Sequence, residues 1–342
     1  MITIHSEDHR LRDARTELFG GELVQPHERP SRAEIVLRHV QAASLGEIRA
    51  PHEFGLDPVL RVHDAEFVDF LSRAWDLWQA AGYKGEAIPT CWPARRMAQR
   101  KPDHIDGLLG YYALSTETSF TQGSWQAARA SANVALTAAE LVQGRARSAF
   151  ALCRPPGHHA ALDMYGGFCF LNNAAIAAQY LRDQGAARVA ILDVDFHHGN
   201  GTQDVFYTRD DVYFASIHGD PRFAFPHFLG YADETGAGAG EGFNRNYPLP
   251  EGTGAGPWFA ALDDALARIA GFGAEALVIS LGLDAYENDP ISGFKLKAED
   301  FTTLGARLAR AGLPTLFVLE GGYDIDALGA NTVNVLRGFE EG

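Results

Sequence analysis

Cysteine is scarce in this chain: Cys91, Cys153 and Cys169 are the only three among 342 residues. So few, so scattered, they exclude a disulfide framework and a cysteine-based zinc site. They fit a reducing cytoplasm, which is the expected location. The start, M-I-T-I-H-S-E-D-H-R, has neither a basic n-region nor an apolar h-region, so no secretory leader is expected. No apolar run approaches the roughly 20 residues that a membrane-spanning helix needs. Basic residues are also outnumbered: 44 acids stand against 29 lysines and arginines, a formal net charge of −15. That balance argues against nucleic acid and membrane partners and favours a cationic ligand. Internal repeats, low-complexity tracts and recognisable linkers are absent as well, so residues 1–342 read as one domain. Nearly half of them are hydrophobic, ample for a sizeable core.

The pattern that is present alternates. Short apolar runs at 148–153, 188–195, 211–218, 274–282 and 313–320 predict strands, and 172–184, 257–271, 298–311 and 325–338 predict helices between or after them. Strands alternating with helices of this length imply a mostly parallel sheet with helices on both faces, an α/β fold. Upstream, Ile2–His5 reads as a strand and 6–30 as a long polar loop. A helix follows from Ser31, its plausible N-cap, to Ala43, then one over 63–81 with Phe67, Phe70, Leu71, Trp75 and Trp78 on one face. Residues 83–105 are irregular, with Pro89, Pro93 and Pro102 beside Arg95, Arg96, Arg100 and Lys101. Gln122–Gln143 is an alanine-rich helix.

The stretch R-V-A-I-L-D-V-D-F-H-H-G-N-G-T, from Arg188 to Thr202, leaves a buried strand and delivers Asp193, Asp195, His197 and His198 within six residues. Asp195 and His197 are two apart, so on an extended backbone they project to the same side. In a parallel α/β sheet the site lies at the carboxyl ends of the strands. Those ends also carry His158 and His159, Ser216 and His218, Asp284 and Tyr323. Asp195, His197 and Asp284 can form a three-ligand metal site with one position open. Two oxygens and one nitrogen suit zinc, and ferrous iron or cobalt fits the same donors. Such a metal activates water and polarises a carbonyl. Amide hydrolysis also needs a proton acceptor and a donor, which the adjacent His158 and His159 can supply, and an oxyanion partner, which Tyr323 can supply. Gly321 and Gly322 would let Tyr323 swing in.

The motifs R-P-P-G-H-H-A, G-F-C-F-L-N-N-A-A, D-V-D-F-H-H-G-N-G-T-Q and E-G-G-Y, in this order, resemble the zinc-dependent deacetylase family. The resemblance covers nearly the whole chain. It is nearest to the acetylpolyamine amidohydrolase branch, through T-E-L-F-G-G-E-L, Y-K-G-E-A-I and D-P-I-S. It implies an arginase–deacetylase fold with an eight-stranded sheet and zinc held by Asp195, His197 and Asp284. It implies His159 as general base and acid, backed by Asn200 where many relatives have aspartate. His158, partnered by Asp193, would hold the attacking water, and Tyr323 would steady the oxyanion. A structural potassium ion is implied at Asp193, Asp195, His197 and Ser216, and a second at Phe206, Arg209, Val212 and Phe243.

Phe168 and Phe225 match the aromatic pair that walls the acyl-lysine tunnel in relatives. Glu17, Asp106 and Glu117 are candidates to capture ammonium groups beyond it, which implies an acetylated polyamine as substrate. The insertion at about 83–105 resembles a segment used for dimerisation, so a homodimer whose insertion walls the cleft is expected. The rival readings are a deacetylase of acetyl-lysine in proteins or peptides, a dimanganese ureohydrolase, and a non-catalytic zinc scaffold. The ureohydrolase would want more aspartates around the metal and has no need of Tyr323.

Overall fold

The apolar runs lie side by side. In a computed structural model describing residues 1–342, eight strands form one sheet in the order β4-β1-β5-β10-β9-β6-β7-β8. The chain opens with β1 (Ile2–Ile4), a hairpin of β2 (Glu17–Phe19) and β3 (Glu22–Val24), helix α1 (Ser31–Ala42) and edge strand β4 (Ile48–Arg49). Helices α2 (Asp57–Leu60), α3 (Ala65–Ala80), α4 (Ile105–Tyr112) and α5 (Ser124–Gln143) precede β5 (Ser148–Ala151). Then come α6 (Asn173–Asp183), β6 (Val189–Asp193), α7 (Asn200–Phe206), β7 (Val212–Gly219) and β8 (Asn244–Leu249). The chain ends with α8 (Ala255–Phe272), β9 (Ala276–Leu281), α9 (Ala298–Ala309), β10 (Thr315–Leu319) and α10 (Leu328–Glu341). Every pairing in the large sheet is parallel.

A parallel sheet must be covered on both faces, and side-chain alternation along the central strands divides two cores. Ile191, Val278 and Val318 face a cluster with α3, α4, α5 and α6. Leu192, Ile279 and Phe317 face the other, with α1, α8, α9 and α10. Parallel pairing throughout brings the strand ends that carry chemistry to one edge.

Several boundaries differ from expectation. Residues 6–30 are not one loop: a 3₁₀ turn at Glu7–Leu11 and the β2–β3 hairpin occupy them. Ser31 is the first helical residue, and Pro30, at the cap position, offers no side-chain hydrogen bond. Strand β8 was not expected, because N-R-N-Y-P-L has too few apolar residues to signal an edge strand. Trp75 and Trp78 are only half-buried. Trp78 stacks on Tyr83 with centroids 4.1 Å apart, anchoring the start of the 83–105 segment.

Helices α5 and α6 end alike, with an i+5 amide bonded back to the last turn: Ala146 N–H to Leu141 O, and Ala186 N–H to Leu181 O. The left-handed residue of this cap is Gly185 in one case but Arg145 in the other, at φ 73°. A side chain there costs about 1–2 kcal/mol, against about 0.5–1 kcal/mol for glycine's extra freedom when unfolded. Arg145→Gly is therefore expected to stabilise the protein by about 0.5–1 kcal/mol, read as a rise in the chemical denaturation midpoint. A lowered midpoint would show that the arginine makes contacts worth more than its strain.

Candidate active site

Asp193 ends β6, and the chain beyond it turns under the sheet's carboxyl edge. There Asp195, His197 and Asp284 converge, all buried, with ligand-capable atoms within 4.8 Å of one another. His197 Nδ1 lies 3.1 Å from Asp195 Oδ1 and 3.1 Å from Asp284 Oδ2. Two neighbouring glycines explain the spacing. A Cβ on Gly321 would come 2.5 Å from both Asp195 Oδ2 and Asp284 Oδ2, and one on Gly282 would fall 2.2 Å from Asp195 Oδ2. Gly321 instead gives its N–H to Asp195 Oδ2 at 2.8 Å. Gly321 thus also serves close approach of the backbone to the carboxylates.

The electrostatics ask for a cation. Burial and the Asp195 charge push the Asp284 carboxyl up to about 8. His197 is drawn up to about 10 against its burial, by hydrogen bonds to both carboxylates. Two buried carboxylates sharing one imidazole are under-compensated, and two oxygens plus one nitrogen are a donor set for a divalent metal. The residues fit the ion.

The two histidines are held differently. His158 Nδ1 lies 2.9 Å from Asp193 Oδ2, and its Nε2 lies 3.8 Å from Asp195 Oδ1. Burial opposes its charge, but Asp193 and Asp195 raise it to about 10. His159 Nδ1 lies 2.7 Å from Asn200 Oδ1, whose amide nitrogen reaches His159 O at 3.4 Å. Burial, His158 and His197 hold His159 well below the usual histidine range, and the neutral Asn200 does little to counter them. The partner at Nδ1 therefore favours the charged form of one ring, while burial and like charges disfavour that of its neighbour.

A cleft of about 330 Å³ opens from this centre, lined among others by His159, His197, Phe168, Phe225 and Tyr323. Phe225 stands edge-on to His159 at 5.0 Å, and Phe168 lies 5.6 Å from the Tyr323 ring. Phe168 adopts φ 69°, and its N–H is held by Thr118 Oγ1 at 2.6 Å. Glu17 and Glu117 line the same cleft, as does Glu251. Glu17 is buried and takes the His27 N–H at 2.9 Å. Its burial, with Glu117 nearby, raises the carboxyl to about 7. The buried Glu117 Oε2 has no hydrogen-bond partner.

The expectation for Asp106 is not met in this chain's cleft. It lies at the start of α4, where it accepts from the Tyr83 hydroxyl at 2.5 Å and is 3.5 Å from His104. Ser216 lies beside Asp193 in register across β6 and β7, with its hydroxyl 2.8 Å from His218 Nδ1.

Some residues that shape the site escape a reading of the sequence. Arg32 stacks over the Tyr323 ring at 4.6 Å and donates to Gly322 O and Glu320 O. Glu28 binds Arg32 and Arg154 together, at 3.3 and 2.7 Å. Asp289 takes the Tyr323 N–H at 2.7 Å. D-P-I-S drew attention to Asp289 as a family signal only; nothing in spacing places a helix arginine over a loop tyrosine.

A buried metal set beside two unlike histidines and a tyrosine, at the carboxyl edge of a parallel sheet, is the equipment of a metal-dependent hydrolase. A model of the histone deacetylase domain matches residues 26–339. The chain is 58% identical to acetylpolyamine amidohydrolase 1 of Pseudomonas aeruginosa, with 99% of each chain covered. It is 57% identical to acetylpolyamine amidohydrolase of Mycoplana ramosa, again over 99% of each. The crystal structure of an acetylpolyamine aminohydrolase from Burkholderia pseudomallei superposes with a TM-score of 0.94 at 40% identity, covering 99% of this chain and 98% of that one. The chain belongs to the histone deacetylase family, and it is a deacetylase.

If the cluster binds a divalent ion, folding is linked to it. A hundredfold excess over Kd should add about 2.7 kcal/mol and raise the melting temperature by several degrees, with Asp284→Asn losing the gain. An unchanged melting curve for the unmodified protein would argue that the carboxylates are held by the protein alone.

Proposed function

We propose that this protein removes acetyl groups from N-acetylated polyamines, with zinc at Asp195, His197 and Asp284. The observation that carries this reading is the cleft itself: an aromatic slot between Phe168 and Phe225 runs from the metal ligands toward Glu17 and Glu117. A slot of that shape takes a methylene chain, and the acids take an ammonium group beyond it. The names of the relatives from Pseudomonas aeruginosa and Mycoplana ramosa support the same substrate class.

Bound zinc supplies Lewis-acid polarisation of the amide carbonyl and makes water more acidic. The chain's own groups do the rest. Asn200 accepts from Nδ1–H of His159, so its Nε2 holds the lone pair that takes the proton of the attacking water. The same Nε2 then passes that proton to the leaving amine. His158, whose charged form Asp193 favours, orients the water. Tyr323 gives its hydroxyl hydrogen to the developing oxyanion, and Arg32 and Asp289 hold its ring and backbone in place. Asp193, Asp195, His197 and Ser216 are proposed to hold a structural potassium ion. Trp92 and Met97, 43% and 70% exposed on the 83–105 segment, support a homodimer formed through that segment.

The test is turnover by the zinc-loaded protein of mono-N-acetylated diamines beside an acetyl-lysine peptide. Preference for the small amines, with Tyr323→Phe lowering kcat about a hundredfold or more, is expected. Equal or better use of the peptide would replace this reading with a peptide deacetylase.

Glu17 sets a pH dependence. With its carboxyl raised to about 7, it loses its charge as pH falls through neutrality. KM for a cationic substrate should therefore rise between pH 8 and pH 6, while KM for an uncharged amide of equal length stays flat. Parallel changes in both would place the titration elsewhere.

A further inference from the structure

The two cleft acids sit on separate pieces of chain, Glu17 on β2 and Glu117 on the segment between α4 and α5. What joins them is Glu86, at the start of the 83–105 insertion. Its Oε1 accepts the Arg15 N–H at 2.5 Å, and its Oε2 accepts the Thr16 hydroxyl at 3.2 Å and the Ser119 hydroxyl at 3.1 Å. The contacts fall immediately before Glu17 and two residues after Glu117. Glu86 itself is fixed by its neighbour: Ala87 and Phe120 exchange both backbone hydrogen bonds, at 3.1 and 2.9 Å. Tyr83, stacked on Trp78, closes the other side.

We propose that Glu86 is a positioning residue that sets the separation of Glu17 and Glu117, and so the selectivity of the cleft for cationic amides. This rests on the polyamine reading of the cleft. Two like charges on separate short segments repel one another, and an ammonium group is held well only by acceptors already in place. One carboxylate accepting three donors from two segments is a clamp against that repulsion. The same segment also reaches the slot: Thr118, between Glu117 and Ser119, holds the Phe168 N–H. The start of the insertion thus supports this chain's own substrate cleft from outside its lining, whatever its remainder contacts.

The clamp needs acceptor geometry more than charge. Glutamine keeps a carbonyl oxygen for Arg15 and an amide that can donate to the Thr16 or Ser119 hydroxyl; alanine keeps neither. The experiment compares mono-N-acetylated 1,4-diaminobutane with N-pentylacetamide, equal in length with a methyl in place of the ammonium, on the zinc-loaded protein. Glu86→Ala is expected to raise KM for the charged amide about tenfold, leaving its kcat and both constants for the neutral amide within about twofold. Glu86→Gln should stay within about threefold of the unmodified protein for both. Equal losses for the two substrates in Glu86→Ala would overturn the proposal, as would no loss for either, or a Gln variant as impaired as Ala.

Should the unmodified protein itself ignore the ammonium, the polyamine reading fails, and amide hydrogen exchange then decides the clamp. Faster exchange at residues 15–17 and 117–119 in Glu86→Ala but not Glu86→Gln supports it; equal exchange in all three rejects it.

Discussion

Asp195 and Asp284 are both fully buried and meet at His197, and the rest of the site is arranged around that fact. Like charges that close and that buried are costly unless a cation answers them. Glycines at 282 and 321 let the backbone come up against the carboxylates where any side chain would collide. His197 supplies part of the missing charge, and the divalent ion is proposed to supply the remainder. From the same requirement follows the difference between the two adjacent histidines. His158 has an aspartate behind it, which favours its charged form; His159 has an amide, which does so far less. Adjacent residues of one type acquire opposite properties from what stands at Nδ1.

Much of this was legible in the residues. Alternating apolar strands and amphipathic helices give the sheet, because a parallel strand buried on both faces has no other way to look in sequence. The clustering of Asp193, Asp195 and His197 after one strand, with Asp284 and Tyr323 after others, gives the metal set, because strand ends of one sheet share an edge. What was not legible depends on approach between distant segments with no periodic signal. Arg32 on a helix covers Tyr323 on a loop, 291 positions later. Asp106 has the chemistry expected of a substrate acid, and within this chain the turn into α4 sets it against the Tyr83 hydroxyl and outside the cleft lining. Strand β8 is polar because it is an edge, and it was missed for that reason.

The inner wall of the cleft depends on a second tier of buried charge. Glu28 answers two arginines, Arg32 and Arg154, and Arg32 spends its remaining donors on the carbonyls that flank Gly321. Catalytic tyrosine, metal-facing glycine and the helix α1 are therefore one mechanical unit. A change in α1 packing would be felt at Tyr323 through Arg32.

Strand order has a consequence for how the protein comes into being. Strand β10 lies between β5 and β9, in the middle of the sheet, although it is nearly the last to be synthesised. While the chain is still emerging, β5 and β9 have no partner on their facing edges, and Gly321 and Tyr323 have not yet been made. Domains with such non-local pairing close late and slowly. The hydrolytic centre is consequently completed by the final insertion, because Gly321, which holds Asp195, and Tyr323 both arrive with the strand that closes the sheet.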